Sequence, residues 1–354
     1  MSEANLTRRV SADTIRAIRF EAPYQARAVQ VPAPAPPGAG QALVRTHSVG
    51  VCGTDVSAYH GTFPFFDFPR IPGHELGVEV LAVGDGVTAV APGDTCSVEP
   101  YLNCGDCYAC SKGRTNCCER LSVIGVMQDG GLCDRFTIPA GKLHRASGLT
   151  YDQLALVETL TIGCHAAARA APASEDQVLV IGLGPIGLAA LEFVRLRTRH
   201  VTVMDRLPAR VEFCRDTYAS AGAVVAGDGE ELRHLRDLSD GRLFDVVIDA
   251  TGNPQSMAVA LTYAAQGGTV VFLGLTRQEI SFPQPEMHRR ELTLLASRNG
   301  LPGDFRQVID AIASGTIDTG PWITHRIAFD EVEQRFDTLT RPEAGVLKAV
   351  IDLG

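Results

Sequence analysis

Cys104, Cys107, Cys110 and Cys118 fall within fifteen residues at the spacing C-x2-C-x2-C-x7-C. Four thiolates so close in sequence can close a tetrahedral shell around one zinc ion and leave no position for a substrate. The chemistry this predicts is structural. Such an ion would order the stretch from Tyr101 to Arg120, which is mostly small, polar and cysteine residues. Two disulfides, or scattered thiols, are the blander alternative. The ten cysteines and a polar N-terminus with no apolar export segment favour a reducing compartment and a metal.

A second set of metal-type residues precedes that loop. Cys52 lies in Gly50-Val51-Cys52-Gly53-Thr54-Asp55, and His74 and Glu75 lie in Pro72-Gly73-His74-Glu75. Glu158 follows, near the start of a helical stretch read over Ala155 to Ala171. One thiolate, one imidazole and one or two carboxylates give the three protein ligands of a catalytic zinc, with a position kept for water or substrate. Any one of these residues alone reads more simply as core or surface. Cys164 competes with Glu158 as a further ligand.

A third pattern binds phosphate. The apolar run Val178 to Ile181 leads directly into Gly182-Leu183-Gly184-Pro185-Ile186-Gly187, and a helix is expected to follow. Strand, G-x-G-x-x-G and helix together mark a dinucleotide site. Gly182 permits the tight turn, Gly184 lets the backbone approach a pyrophosphate, and Gly187 lets the helix pack against the strand. The helix N-terminus presents free N–H groups to the phosphates. Asp205 ends the next strand, eighteen residues after Gly187. A carboxylate there accepts from both adenosine ribose hydroxyls and repels a 2′-phosphate, so NAD is favoured over NADP. Arg206, directly after it, could instead hold a phosphate, and an Asp at this point could merely cap a turn. Thr251-Gly252-Asn253-Pro254 and Gly274-Leu275 sit where later strands end, the edge at which open α/β sheets bind ligands.

The elements that must position these residues follow from periodicity. Up to about residue 160 the chain reads as short strands and turn-rich loops, among them Thr14 to Phe20, Gln41 to Val51 and Gly77 to Val83. This predicts a β-rich, partly closed barrel. From Gln177 onward strand and helix alternate: Gln177–Ile181, Leu188–Arg197, Val201–Met204, Phe244–Asp249 and Thr269–Leu273. Such alternation predicts a parallel sheet with helices on both faces. A helix over Phe305 to Ser314 and a strand over Lys348 to Asp352 come last. Residues 1 to about 13 read as a loose leader. The length of 354 residues suits about two domains. The 32 basic and 41 acidic residues leave a net charge of -9, which argues against a nucleic-acid surface. No run approaches the roughly eighteen apolar residues that span a bilayer. Cytoplasm is the expected compartment.

Taken in order and spacing, these motifs resemble the zinc-dependent medium-chain dehydrogenase/reductase family, within it the polyol (sorbitol-like) and threonine dehydrogenase branch. The resemblance spans roughly residue 14 to the C-terminus. It implies an α/β fold: a doubly wound parallel Rossmann sheet plus a β-rich GroES-like barrel. The barrel domain would comprise residues 1–161 and 301–354 with both zinc sites, the NAD domain residues 162–300, and the active site the cleft between them. Cys52, His74 and Glu75 match the family's first catalytic zinc ligands. Glu158 matches a carboxylate that reaches the zinc directly or through water. The stretch Gly125 to Gly131, with Ser297-Arg298-Asn299, is similar to enzymes acting on gulonate or galactonate. The implied activity is NAD-dependent oxidation of a secondary alcohol of a polyol or sugar acid, with L-threonine 3-dehydrogenase as the rival enzyme. A non-catalytic NAD-binding zinc scaffold and a zinc-free quinone reductase would require a broken ligand set, and the set is intact. Thr54 matches the hydroxyl that starts the family's proton relay. The next member would be Ser57, a water or His60, while His47 reads as structural. Arg210 joins Arg206 among the cofactor-binding residues, and Arg298 could touch the cofactor, a substrate carboxylate or neither. Phe63, Phe65, Phe66 and Phe68 could line the substrate cleft or close the fold. The partners implied are a small-molecule substrate and further copies of the chain, as a homodimer or homotetramer.

Overall fold

Gln41–Val51 alternates buried and half-exposed positions, as a strand with one face on a core must, and it forms the middle of the first sheet. The computed structural model describes residues 13–218 and 222–354. The leader read over residues 1 to about 13 therefore falls, up to residue 12, outside the described residues. The chain divides into two compact units. One runs to Glu158 and resumes over Ala311–Gly354, and the other is Thr159–Asp310.

The first unit carries a mostly antiparallel sheet. Its order is Ile323–Ala328, Lys348–Asp352, Gln41–Val51, Glu75–Val83, Thr95–Val98 and Leu143–Arg145, with Arg135–Pro139 also paired to Gln41–Val51. The register sets Gly50 opposite Glu75 on one side and Val350 on the other. That single contact places the C-terminal strand beside the His74-Glu75 motif. Ile18, Phe20, Leu76, Val78, Ile138 and Phe336 form the centre of this unit's core.

The second unit holds six parallel strands in the order Gly222–Val225, Val201–Asp205, Val178–Ile181, Phe244–Asp249, Ala264–Phe272 and Thr293–Ala296. This is a doubly wound Rossmann sheet. The inner strands Val178–Ile181 and Val201–Asp205 are buried throughout, which explains their near-continuous apolar sequence. The chain winds from Val178–Ile181 first to one side and then to the other. The order reverses between Val178–Ile181 and Phe244–Asp249, beside the glycine turn, and such a switch point is where these sheets bind ligands.

Two features depart from the sequence reading. The edge strands Gly222–Val225 and Thr293–Ala296 are additional; they are four residues long and partly exposed, so they lack the apolar run of the inner strands. The long helix begins at Tyr151 rather than Ala155. Thr150 and Gln153 form a reciprocal cap: Gln153 N donates to Thr150 Oγ1 at 3.2 Å, and Thr150 N donates to Gln153 Oε1 at 2.8 Å. Glu158 consequently lies two turns inside the helix.

Candidate active site and metal centres

All ten cysteines are free thiols. Cys104, Cys107, Cys110 and Cys118 converge so that one sulfur from each lies within 4.8 Å of the others. Sulfur separations of 3.4 Å (Cys104–Cys118), 3.9 Å (Cys107–Cys118) and 4.0 Å (Cys104–Cys110) surround the ~3.8 Å edge of a tetrahedron with Zn–S bonds of about 2.3 Å. Backbone amides prepare some of these thiols for ligation. Hydrogen bonds from the N–H groups of Cys110 and Glu119 draw Cys107 down to about 6, and the N–H of Cys104 draws Cys118 down as well. Cys104 is pushed up to about 12, chiefly through its hydrogen bond to Asp106. A cation supplies the charge that would draw such a thiol to thiolate.

Cys52, His74 and Glu75 form a second group whose ligand atoms lie within 4.8 Å of one another. Cys52 caps the helix Gly53–Tyr59, and its own N–H donates to Asp55 Oδ2 at 2.9 Å. The other oxygen of Asp55 stands 3.5 Å from His74 Nδ1. Both are buried, and neither has a hydrogen-bond partner within the protein. Burial opposes the His74 imidazolium, but Asp55 and Cys52 outweigh it and raise its pKa well above the usual imidazole range. A soft thiolate, an imidazole and a carboxylate with ligand atoms this close together fit a zinc ion with an open position. Glu158 is not part of that group.

Two residues that carried no signal in the sequence complete this neighbourhood. Lys348 is 1% exposed, and its Nζ donates to Glu75 Oε1 at 2.6 Å. It reaches Glu75 from the C-terminal strand, across Gly50. A Cβ on Gly50 would stand 2.1 Å from Glu75 Oε2, so glycine is the residue that leaves room for this carboxylate. Burial works against the Lys348 ammonium and Glu75 more than compensates, leaving its pKa raised. Tyr101, 3% exposed, donates its hydroxyl to Glu158 Oε1. Burial pushes the Glu158 carboxyl up to about 7, and nearby Glu75 adds to this against the pull of His74, Tyr101 and Lys348.

The glycine turn in the second unit has the geometry a pyrophosphate needs. Gly182 takes φ 85°, and the helix Pro185–Arg195 starts at Gly184 with Pro185 in its first turn. Ile186 is the next residue of that turn. A Cβ on Gly187 would stand 1.7 Å from the Gly182 carbonyl oxygen, which enforces glycine there. A Cβ on Gly184 would meet the tip of the Arg210 side chain at 3.6 Å. Asp205 is buried and holds the turn: Leu183 N donates to its Oδ2 at 2.6 Å and Leu207 N to its Oδ1 at 2.8 Å. Each carboxylate oxygen keeps acceptor capacity for a ribose hydroxyl. Arg210 lies 3.7 Å from Asp205, and Arg206 is exposed. The loops Thr251-Gly252 and Gly274 pack backbone against backbone at the strand ends; a Cβ on Gly274 would meet Gly252 N at 2.1 Å.

Residues 38–148 match the alcohol dehydrogenase GroES-like domain, and residues 185–314 match the zinc-binding dehydrogenase domain. L-galactonate-5-dehydrogenase of Escherichia coli (strain K12) is 39% identical over 315 residues, covering 89% of this chain and 92% of that protein. The chain belongs to the zinc-dependent medium-chain dehydrogenase/reductase family. RspB of Escherichia coli CFT073, solved with NADH, superposes with a TM-score of 0.88 at 28% identity, covering 96% of this chain and all of that one. A protein of Sinorhizobium meliloti 1021 bound to NADP gives the same TM-score and identity, covering 96% of this chain and 99% of that one. The chain is thus an oxidoreductase of the zinc-binding dehydrogenase type, with the barrel and Rossmann architecture that its motifs imply.

Thr54 and Ser57 lie half-buried on the helix that starts at Cys52. His60 follows that helix, with its Nε2 3.1 Å from Thr340 Oγ1 and its ring stacked on Tyr24 at 5.1 Å. His47 pairs with Glu79 at 3.2 Å and stacks on Tyr151 at 3.9 Å. Cys164 is buried in the second unit, where burial pushes its thiol up to about 12. Of the phenylalanines, Phe66 is core, Phe63 and Phe68 pack against that core, and Phe65 is 53% exposed. Arg298 is exposed after the last strand of the Rossmann sheet. Among the described residues no helix is long and apolar enough to cross a membrane.

Proposed function

We propose that this protein oxidises a secondary alcohol of a sugar acid or polyol to the ketone with NAD. The observation that carries the reading is the convergence of Cys52, His74 and Glu75 in a chain that belongs to a zinc-dependent dehydrogenase family. The substrate class rests on similarity to L-galactonate-5-dehydrogenase.

In this reading Cys52, His74 and Glu75 hold the catalytic zinc, with Glu158 beside it. Cys104, Cys107, Cys110 and Cys118 hold the structural one. When bound, the catalytic ion supplies Lewis acidity that lowers the pKa of a substrate hydroxyl, and the nicotinamide supplies the hydride acceptor. The chain's own residues orient and deprotonate. Asp55 faces the His74 ring as its counter-charge. Thr54 receives the hydroxyl proton and passes it on through Ser57 or a water, since His60 is engaged by Thr340 and Tyr24. Residues up to about 161 and from about 301 form the catalytic domain, with the NAD domain between them. There Gly182, Gly184, Pro185, Ile186 and Gly187 cradle the pyrophosphate. Asp205 receives the ribose hydroxyls, Arg206 and Arg210 flank it, and Thr251, Gly252, Gly274 and Arg298 border the dinucleotide. Asp205 favours NAD, because its carboxylate would repel a 2′-phosphate. The enzyme works in the cytoplasm as a homodimer or homotetramer.

A substrate panel tests this with the purified holoenzyme and NAD reduction as readout. Turnover is expected with an aldonate such as galactonate or gulonate, or with a hexitol. Turnover of L-threonine alone would contradict the substrate class.

A further inference from the structure

Tyr101 has the fixed setting of a group that places another. It lies in the short strand Tyr101–Leu102, paired with Ser122–Val123. The residues two before and two after it are held by one cation: Lys142 Nζ pairs with Glu99 Oε1 and donates to Asn103 Oδ1 at 2.7 Å. Glu99 is 1% exposed and also meets His144 Nε2 at 3.0 Å. Cys104 of the four-cysteine loop follows three residues after Tyr101. The chain is thus tied on both sides of Tyr101, by an ion pair at Glu99 and a hydrogen bond at Asn103, and the Tyr101 hydroxyl ends on Glu158, 4% exposed.

We infer that Tyr101 is a positioning residue for Glu158: by donating to Oε1 it keeps that carboxylate beside the three-donor cluster instead of within it. This rests on the reading of Cys52, His74 and Glu75 as a metal centre. Partners that orient carboxylates around a metal set its coordination geometry, and losing one typically lowers metal affinity or activity 10- to 100-fold. Released from the phenol, Glu158 has the freedom to swing toward the ion and take the position meant for substrate.

The test uses cobalt substituted into the holoenzyme, whose visible absorption reports coordination geometry. Tyr101→Phe is expected to shift the cobalt bands and lower kcat by about 10- to 100-fold. It should add little when combined with Glu158→Gln. Wild-type cobalt bands and kcat in Tyr101→Phe, or a loss that adds in full to that of Glu158→Gln, would overturn the inference. Should Tyr101→Phe not fold, Glu158→Gln and Glu158→Ala decide instead. Gln can still accept from the phenol, so it should keep bands nearer the wild type than Ala does; equal shifts would reject the role. Cys52→Ser separates the two levels of the argument. If it leaves the cobalt bands intact, the metal-centre reading and the inference both fall. If it removes them while Tyr101→Phe changes nothing, only the inference falls.

Discussion

The four-cysteine loop takes all its donors from fifteen residues with little regular structure, whereas the Cys52 cluster takes its donors from a helix cap and a strand end. It also depends on a strand almost three hundred residues further along the chain. The first arrangement would saturate an ion and could then only hold a loop. The second keeps a carboxylate, a histidine and a thiol in place with buried supports: Asp55 behind His74, Lys348 behind Glu75, and Gly50 clearing the space between. On the proposed reading the contrast concerns what an open metal site would require of a fold. Leaving one position free means that fewer ligands must be oriented more firmly, and the orienting groups come from the sheet.

Substitution of one cysteine in each cluster gives the sharpest break. Cys52→Ser should abolish turnover and leave the fold, while Cys107→Ser should mainly weaken folding or assembly. Kinetics and thermal melting on the two variants check this, and identical behaviour would erase the division between working and structural ions. Next in size is Lys348→Met. In the metal-free protein, removing one partner of a buried ion pair costs about 3–5 kcal/mol, because the other charge is then left uncompensated. The melting temperature should fall clearly, and Lys348→Met combined with Glu75→Gln should recover part of that fall. A neutral Lys348→Met would show that Glu75 needs no counter-charge. The smallest effect is expected at Asp205. Asp205→Ser should weaken NAD binding by about ten- to a hundredfold, the worth of a hydrogen bond to a charged group, and relax discrimination against NADP. Some of that loss will come from the turn itself, because Asp205 also receives the Leu183 N–H. Unchanged preference between the two cofactors would remove Asp205 from selection.

Local patterns made much of this legible. Gln41–Val51, Phe244–Asp249 and Lys348–Asp352 were readable to the residue, because alternation or an unbroken β-branched run suffices to mark a strand. The four cysteines were readable because all their ligand geometry is sequence-local. Cys52, His74 and Glu75 were readable only through their family order, since no spacing rule joins a helix cap to a strand 22 residues later. Lys348 and Tyr101 were silent. A single lysine in a C-terminal strand and a single tyrosine before a cysteine loop look like any others until sheet register and burial set them against Glu75 and Glu158. The Tyr151 helix start did have a signal, the Thr150–Gln153 capping pair, which composition alone does not weigh.

The central claim is that a removable ion among Cys52, His74 and Glu75 is the one needed for turnover. Metal analysis during graded chelation of the holoenzyme tests it most directly. The account predicts about two zinc ions per chain, with the first lost in step with activity and its return restoring turnover, while the second resists until the protein unfolds. A zinc content near zero in active enzyme, or activity that persists after the first ion has left, would contradict it.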